Sequence, residues 1–251
     1  MPDIPFLSRF AALLSLVVLL AYSPAANAQE KGAEGIAAGY VDSIGGAEAW
    51  RAVRSLRMQG TTVVEGLEFP LSITTAAGGK QRIEVGIRDS PMIQAYDGRV
   101  AWMTFPMQGI TEPRLLEGEE LAAVRDHPFL NVFIDYARRG YRLQTVADTV
   151  LENVPVYGIH VTHASGYDQT HYFGKKSLLP VCQIAKSRGA TGRTTVVETY
   201  FDDYRRFDGL LLPTSLRQRV AGRESMRMTI TDVELNPALP PDHFSPSPEH
   251  R

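Results

Sequence analysis

Residues 82–88 read Arg82-Ile83-Glu84-Val85-Gly86-Ile87-Arg88, and their apolar and charged side chains alternate. Successive side chains of a β-strand point to opposite faces of the sheet, so this period of two predicts a strand with one buried face. The same alternation recurs in residues 157–163, 196–201, 216–220 and 226–231. About ten strand candidates follow one another in this way, with few helices between them. Parallel neighbours would need crossover helices, so the order predicts a mostly antiparallel sheet.

Glycine-containing turns separate the predicted strands. They lie at residues 77–79, 97–98, 189–192 and 208–209. The pair Asp97-Gly98 stands between two apolar runs and is typical of a tight β-hairpin.

Two regions have helical periodicity instead. Residues 33–55 predict a helix that Gly45-Gly46 breaks or bends. Residues 117–139 predict two short helices, 119–126 and 128–139, because Pro128 cannot continue a helix and Gly140 can cap its end. The chain is therefore predicted to be α+β and mostly antiparallel β, with the second helical region covering the apolar concave face of the sheet.

The first 28 residues have the features of a secretory signal peptide. Arg9 precedes an almost wholly apolar run, residues 10–20, and Ala26-Asn27-Ala28 supplies small residues for cleavage near Ala28. We expect residues 1–28 to be removed and residues 29–251 to form a single domain outside the cytoplasm. The alternative is that the apolar run remains as an uncleaved anchor.

Composition and motifs exclude several classes of function. A net charge of -2 argues against a nucleic-acid partner, and the single cysteine, Cys182, rules out an intramolecular disulfide. The nucleophile motifs Gly-x-Ser-x-Gly and Ser-x-x-Lys do not occur, and neither does a phosphate-binding glycine-rich loop. The sequence therefore predicts no catalytic residues and no cofactor.

Three histidines within a short stretch raise the question of a metal site. His160 and His163 are an odd number of residues apart, so they face opposite sides of a strand. His163 and His171 would meet across a hairpin that turns near residues 165–166, with Asp168 nearby. Hydrogen-bonded or solvated histidines are the more common outcome, and we predict no metal site.

Large apolar side chains exceed what the predicted strands need. Soft and aromatic residues suit an adaptable apolar cavity, although the alternative is that they form only the core. The candidates for the cavity lining are Trp102, Phe105, Phe129, Phe133, Tyr157, Ile159, Met226 and Met228.

Several short motifs occur in a recognisable order along nearly the whole mature chain. They include Ile44-Gly45-Gly46-Ala47-Glu48-Ala49-Trp50, Ala95-Tyr96-Asp97-Gly98, His171-Tyr172-Phe173, Asp208-Gly209-Leu210-Leu211-Leu212-Pro213, Val233-Glu234-Leu235-Asn236-Pro237 and Phe244. On these motifs the chain resembles the periplasmic lipoprotein-carrier superfamily, the LolA/LolB-like outer-membrane lipoprotein-sorting proteins. The resemblance implies an unclosed β-barrel wrapped around a helical lid, with a cavity that holds the acyl chains of lipoproteins or other lipids.

The sequence thus leaves three hypotheses of function. The first is a soluble, non-catalytic periplasmic carrier with a transport or chaperone role, whose partners are an acylated lipid or lipoprotein and proteins of the inner or outer membrane. The second is an envelope scaffold or sensor that has a filled core and acts through protein–protein contacts. The third is an enzyme that uses the histidine group.

Overall fold

The computed structural model describes residues 32–87, 90–125, 131–188 and 194–246. Three α-helices lie in this part of the chain: α1 Ala33–Ser43, α2 Ala47–Arg51 and α3 Gly118–Arg125. The strands of the described residues are β1 Ser55–Val64, β2 Leu67–Ala76, β3 Lys80–Val85, β4 Met92–Tyr96, β5 Ala101–Phe105, β6 Ile110–Leu116, β7 Arg142–Leu151, β8 Val154–Thr162, β9 Asp168–Gly174, β10 Pro180–Arg188, β11 Thr194–Phe207, β12 Leu210–Val220 and β13 Arg223–Leu235.

All thirteen strands of the described residues belong to one antiparallel sheet. Its order is β6-β5-β4-β3-β2-β1-β13-β12-β11-β10-β9-β8-β7, and the sheet is unclosed because β6 and β7 form its two edges. The predicted α+β class, the mostly antiparallel sheet and the open barrel are confirmed. Alternation alone indicated fewer strands, partly because the edge strand β6 exposes most of its side chains and lacks a clear buried face.

Strand register defines two faces of this sheet. Directly paired residues share a face, so Met58 of β1, Ile73 of β2 and Ile83 of β3 lie side by side. These three side chains pack against the buried cluster that contains Ile36 and Tyr40 of α1. We call the face that they share the inner face, because α1 packs against it.

The break in the first helical region lies where the sequence predicts it. Gly45 and Gly46 have φ values of 117° and 84°, in the left-handed region that favours glycine. The turn lets α2 fold back on α1, where the indole nitrogen of Trp50 donates a hydrogen bond of 3.1 Å to the carbonyl of Ile44. The predicted helix with a break at Gly45-Gly46 is confirmed.

The second helical region is only partly as predicted. Helix α3 confirms the predicted helix 119–126 over residues 119–125, whereas residues 132–140 form consecutive turns instead of an α-helix. Residues 126 and 128–130 of the two predicted helices lie outside the described residues. The prediction for 128–139 is therefore wrong over residues 132–139, because Asp135 has a φ of 55° and interrupts helical geometry. Gly140 does close the last turn, with hydrogen bonds from Gly140 N to the Ala137 carbonyl (3.0 Å) and from Tyr141 N to the Tyr136 carbonyl (2.9 Å).

The outer face of the sheet is covered in part by the chain's last described residues. Trp102 pairs with Ala95, on the face opposite to Tyr96 and Met103, and its indole nitrogen donates a 2.9 Å hydrogen bond to the Phe244 carbonyl. Phe244 is itself buried. This segment therefore gives Trp102 a buried environment outside the inner face.

No helix among the described residues is long and apolar enough to cross a bilayer. The predicted signal peptide, residues 1–28, lies outside the described residues and stays a prediction.

Candidate functional site

A strip of apolar side chains on the inner face is only half-buried. Its members lie on five adjacent strands (β3, β2, β1, β13 and β12), and each packs on one side against the buried core cluster. They are Ile83, Val85, Ile73, Met58, Met228 and Leu216. We call these six residues the apolar strip. Because they keep part of their surface exposed, the described residues leave apolar area on the inner face available for a ligand.

The other half of the inner face is filled. The ring of Phe133 lies 5.6 Å from that of Tyr40 and 5.2 Å from that of Phe173, in edge-on contacts that suit aromatic pairs. Ile159 of β8 is completely buried in the same cluster. Helix α1 and the segment 131–141 therefore act as a plug over strands β8 and β9.

An ion-pair group fixes this plug at its solvent edge. Asp135 accepts from Arg51 of α2 at 2.7 Å and from Arg138 at 2.6 Å. Hydrogen bonding to Arg51 contributes most to lowering the pKa of Asp135 to about 2. Arg51 and Asp135 also border a cavity of about 480 Å³, and the buried side chains of Phe133 and Ile134 contribute to its walls.

The structure divides the predicted cavity residues among different places. Met228 belongs to the apolar strip, and Met226 is half-buried two residues away on the same strand. Tyr157 is half-buried against the same core cluster, with the Lys175 ammonium 5.0 Å from its ring centroid.

The other predicted residues are not part of that strip. Phe133 and Ile159 are core residues, and Trp102 lies on the outer face beneath Phe244. Phe105 is half-buried at the end of β5. Phe129 lies outside the described residues.

A row of uncharged polar side chains runs beside the apolar strip on the inner face. Register places His171, Gln183, Thr199 and Gln218 in line across β9, β10, β11 and β12. Gln218 is two residues from Leu216 of the strip and therefore faces the same side. We call these four residues the polar row. Thr199 and the two glutamines carry no motif of their own, and the only sequence signal for them is a polar residue at an inner-face position of an alternating strand.

His171 is the most deeply buried member of the polar row. Burial lowers its pKa to about 3, so the ring is neutral at physiological pH. Its Nε2 atom is buried and has no hydrogen-bond partner among the described residues. Phe133 packs edge-on against the ring at 4.9 Å.

The other histidines take part in protein contacts. His163 Nε2 lies 2.8 Å from Gln169 Nε2, and Gln183 donates to Gln169 Oε1 at 2.6 Å. His160 Nδ1 lies 3.2 Å from the Thr170 hydroxyl on the outer face, so the two histidines diverge as predicted. Within the described ranges, no group of three or more His, Cys, Asp or Glu side chains is placed to hold a metal ion.

Cys182 lies on the outer face and is completely buried. Desolvation raises the pKa of its thiol to about 12. A thiol in this environment is a poor nucleophile, because the thiolate is the reactive form.

Solved structures that are similar in fold include proteins from three bacteria. The chain is similar to a DUF1329 family protein from Desulfovibrio piger (TM-score 0.55, 14% identity, 85% of this chain and 97% of that one). It is also similar to a domain assigned as an outer membrane lipoprotein-sorting protein from Vibrio parahaemolyticus (TM-score 0.56, 13% identity, 86% and 97%). A LolA superfamily protein from Nitrosomonas europaea matches with a TM-score of 0.55 at 15% identity, over 85% and 97% of the two chains.

These likenesses bear on the fold, since the sequences are so different. The resemblance to LolA-like proteins that the sequence motifs suggest is confirmed at the level of the fold. No protein-family model matches the chain, and comparison with curated proteins finds no match.

Proposed function

We propose that the chain is a non-catalytic carrier or binder of acyl chains that works as a soluble protein in the periplasm. The observation that carries this proposal is the apolar strip, whose six side chains stay half-buried on the inner face. The predicted signal peptide and the shared fold of a lipoprotein-sorting domain support the location and the class of ligand.

The strip has suitable dimensions for an acyl chain. It crosses five neighbouring strands, which at a strand spacing of about 4.8 Å extend about 19 Å across the sheet. An extended long acyl chain is comparable in length. Each methylene group removed from water contributes about 0.8 kcal/mol, so partial burial of such a chain gives useful affinity without a cofactor.

The class of ligand indicates which partners the protein would need. An acylated lipid or a lipoprotein would be the cargo, and proteins of the inner or outer membrane would supply or receive it. No catalytic step is needed, because the release of apolar surface from water drives the binding itself.

Charge placed on the strip tests the proposal. Met228→Asp and Leu216→Asp would each put a carboxylate where an acyl chain would lie, and Thr229→Asp is a matched control on the neighbouring, exposed position of β13. We expect native mass spectrometry of the protein from its own envelope to detect a bound acylated species in the wild type and in Thr229→Asp. The two strip variants should have lost it while keeping wild-type circular dichroism.

A second candidate is a scaffold or sensor that needs no ligand. The packing of Tyr40 and Phe133 of the plug on Phe173 of β9 favours this candidate, because side chains already fill this half of the core. Wild-type protein that is free of lipid, ignores added lipid and lipopeptide, and co-purifies with a stoichiometric protein would support this candidate and contradict the carrier.

A further inference from the structure

The polar row lies where the head of a bound acyl ligand would lie. Gln218 pairs with Met226, and two residues further along β12 Leu216 pairs with Met228. Two residues of strand correspond to about 7 Å, so the polar row and the apolar strip are adjacent on one face. A ligand whose apolar part covers the strip would bring its polar linkage against Thr199 and Gln218.

The exposed part of the polar row has hydrogen-bonding capacity to spare. Thr199 and Gln218 are half-buried, and neither side chain hydrogen-bonds to another described residue. Gln183 uses its amide nitrogen for Gln169, which leaves its carbonyl oxygen as an acceptor. At the buried end of the row, His171 is more than nine-tenths buried, and its Nε2 atom has no hydrogen-bond partner in the part of the chain that the structure describes.

The surroundings of the row lack charge. No side chain that is charged at neutral pH lies on the inner face of β8 to β12 beside the row. This holds for the inner-face positions of residues 157–161, 169–173, 183–185, 197–201 and 216–220. Arg139 of the plug stacks over the ring of Tyr141 at 4.7 Å and donates to its hydroxyl. A carboxylate brought to this row would lose water without gaining a counter-ion, which is costly.

We infer that the polar row selects ligands whose acyl group ends in an uncharged ester, amide or hydroxyl and discriminates against free fatty-acid carboxylates. The inference rests on the proposed function and names the chemical class of its ligand. Hydroxyl and amide side chains complement the carbonyl and hydroxyl groups of an ester, and they offer no ion pair to an acid.

The test compares laurate with its glycerol monoester, 1-monolaurin, at pH 8. Both would displace Nile red, an uncharged apolar probe, from full-length mature protein freed of lipid. We expect the monoester to act at a roughly tenfold lower concentration, because the acid alone must bury a charge. In the double variant Thr199→Val, Gln218→Leu the monoester should need about a tenfold higher concentration than with the wild type, since the side chains that would hydrogen-bond its ester and hydroxyl groups are gone.

Gln144→Leu is the matched control, because Gln144 is an exposed outer-face residue of β7 paired with His160. It should keep the wild-type ratio, and both variants should bind Nile red as the wild type does. Displacement by laurate at the same concentration as the monoester, or displacement by the monoester that the double variant leaves unchanged, would overturn the inference and leave the acyl-binding proposal intact. Failure of the wild type to bind Nile red and both ligands would contradict the proposed function and the inference together.

Discussion

Truncation of Phe133 measures how firmly the plug is packed on the sheet. The side chain is 3% exposed and its ring contacts the rings of Tyr40, His171 and Phe173 at 5.6, 4.9 and 5.2 Å. A buried Phe→Ala change costs about 3–5 kcal/mol, through lost transfer free energy and the cavity left behind. The three ring contacts place Phe133→Ala in the upper part of that range, so we expect the free energy of unfolding to fall by about 4 kcal/mol.

Urea unfolding followed by tryptophan fluorescence gives the measurement. Trp50 is buried in the same cluster as Phe133 and reports on its loss. Met107→Ala is the control, because Met107 is 70% exposed and its truncation should change stability by less than about 0.5 kcal/mol. A loss below about 1 kcal/mol for Phe133→Ala at an unchanged m-value would refute the reasoning, since the segment 131–141 would then not be packed on the inner face in solution.

Three further predictions concern other parts of the fold. A Cβ atom on Gly60 would lie 1.9 Å from the Thr229 carbonyl oxygen, so Gly60→Ala should lower stability by more than about 2 kcal/mol in thermal unfolding; an unchanged melting temperature would contradict the strand approach. The pKa of His171 is about 3 when folded and near 6.5 when unfolded, so the unfolded state binds more protons between these values and stability falls as pH drops through this window. His171 contributes at most about 1.4 kcal/mol per pH unit to the pH dependence of the free energy of unfolding. Urea unfolding of the wild type and of His171→Phe at several pH values should isolate this contribution as the difference between them, and equal pH slopes would refute the lowered pKa of His171. Cys182 is buried with a raised pKa, so a thiol reagent such as dithionitrobenzoate should label it slowly in the native protein and rapidly in urea, and fast native labelling would contradict its burial.

The sequence predicted best those features that depend on local chemistry. Alternation identified the strands, and the Asp97-Gly98 turn joins β4 to β5 as expected. The left-handed pair at Gly45-Gly46 ended α1 for the same local reason. Each of these rests on a preference of a few neighbouring residues, which tertiary contacts did not override.

Features that depend on distant contacts were harder to predict. Asp135 adopts a positive φ and pairs with Arg51, 84 residues away, and this pairing accompanies turns where periodicity indicated a helix. Alternation also separates the two faces of a strand without saying which one is inner. Trp102 was therefore predicted to line the cavity, whereas the strand register and its hydrogen bond to Phe244 place it on the outer face.

The order of the strands has a consequence for how the chain folds. In the described residues, eleven of the twelve strand pairings join neighbours in sequence, and β1 with β13 is the exception. Two meanders, β1–β6 and β7–β13, can therefore form from local hairpins, and each hairpin closes a short loop at a small cost in conformational entropy. The β1–β13 seam joins residues as far apart as Leu56 and Leu235, so it should close late. Because that seam lies beneath the apolar strip, the surface that would bind an acyl chain is completed only when the two ends of the domain meet.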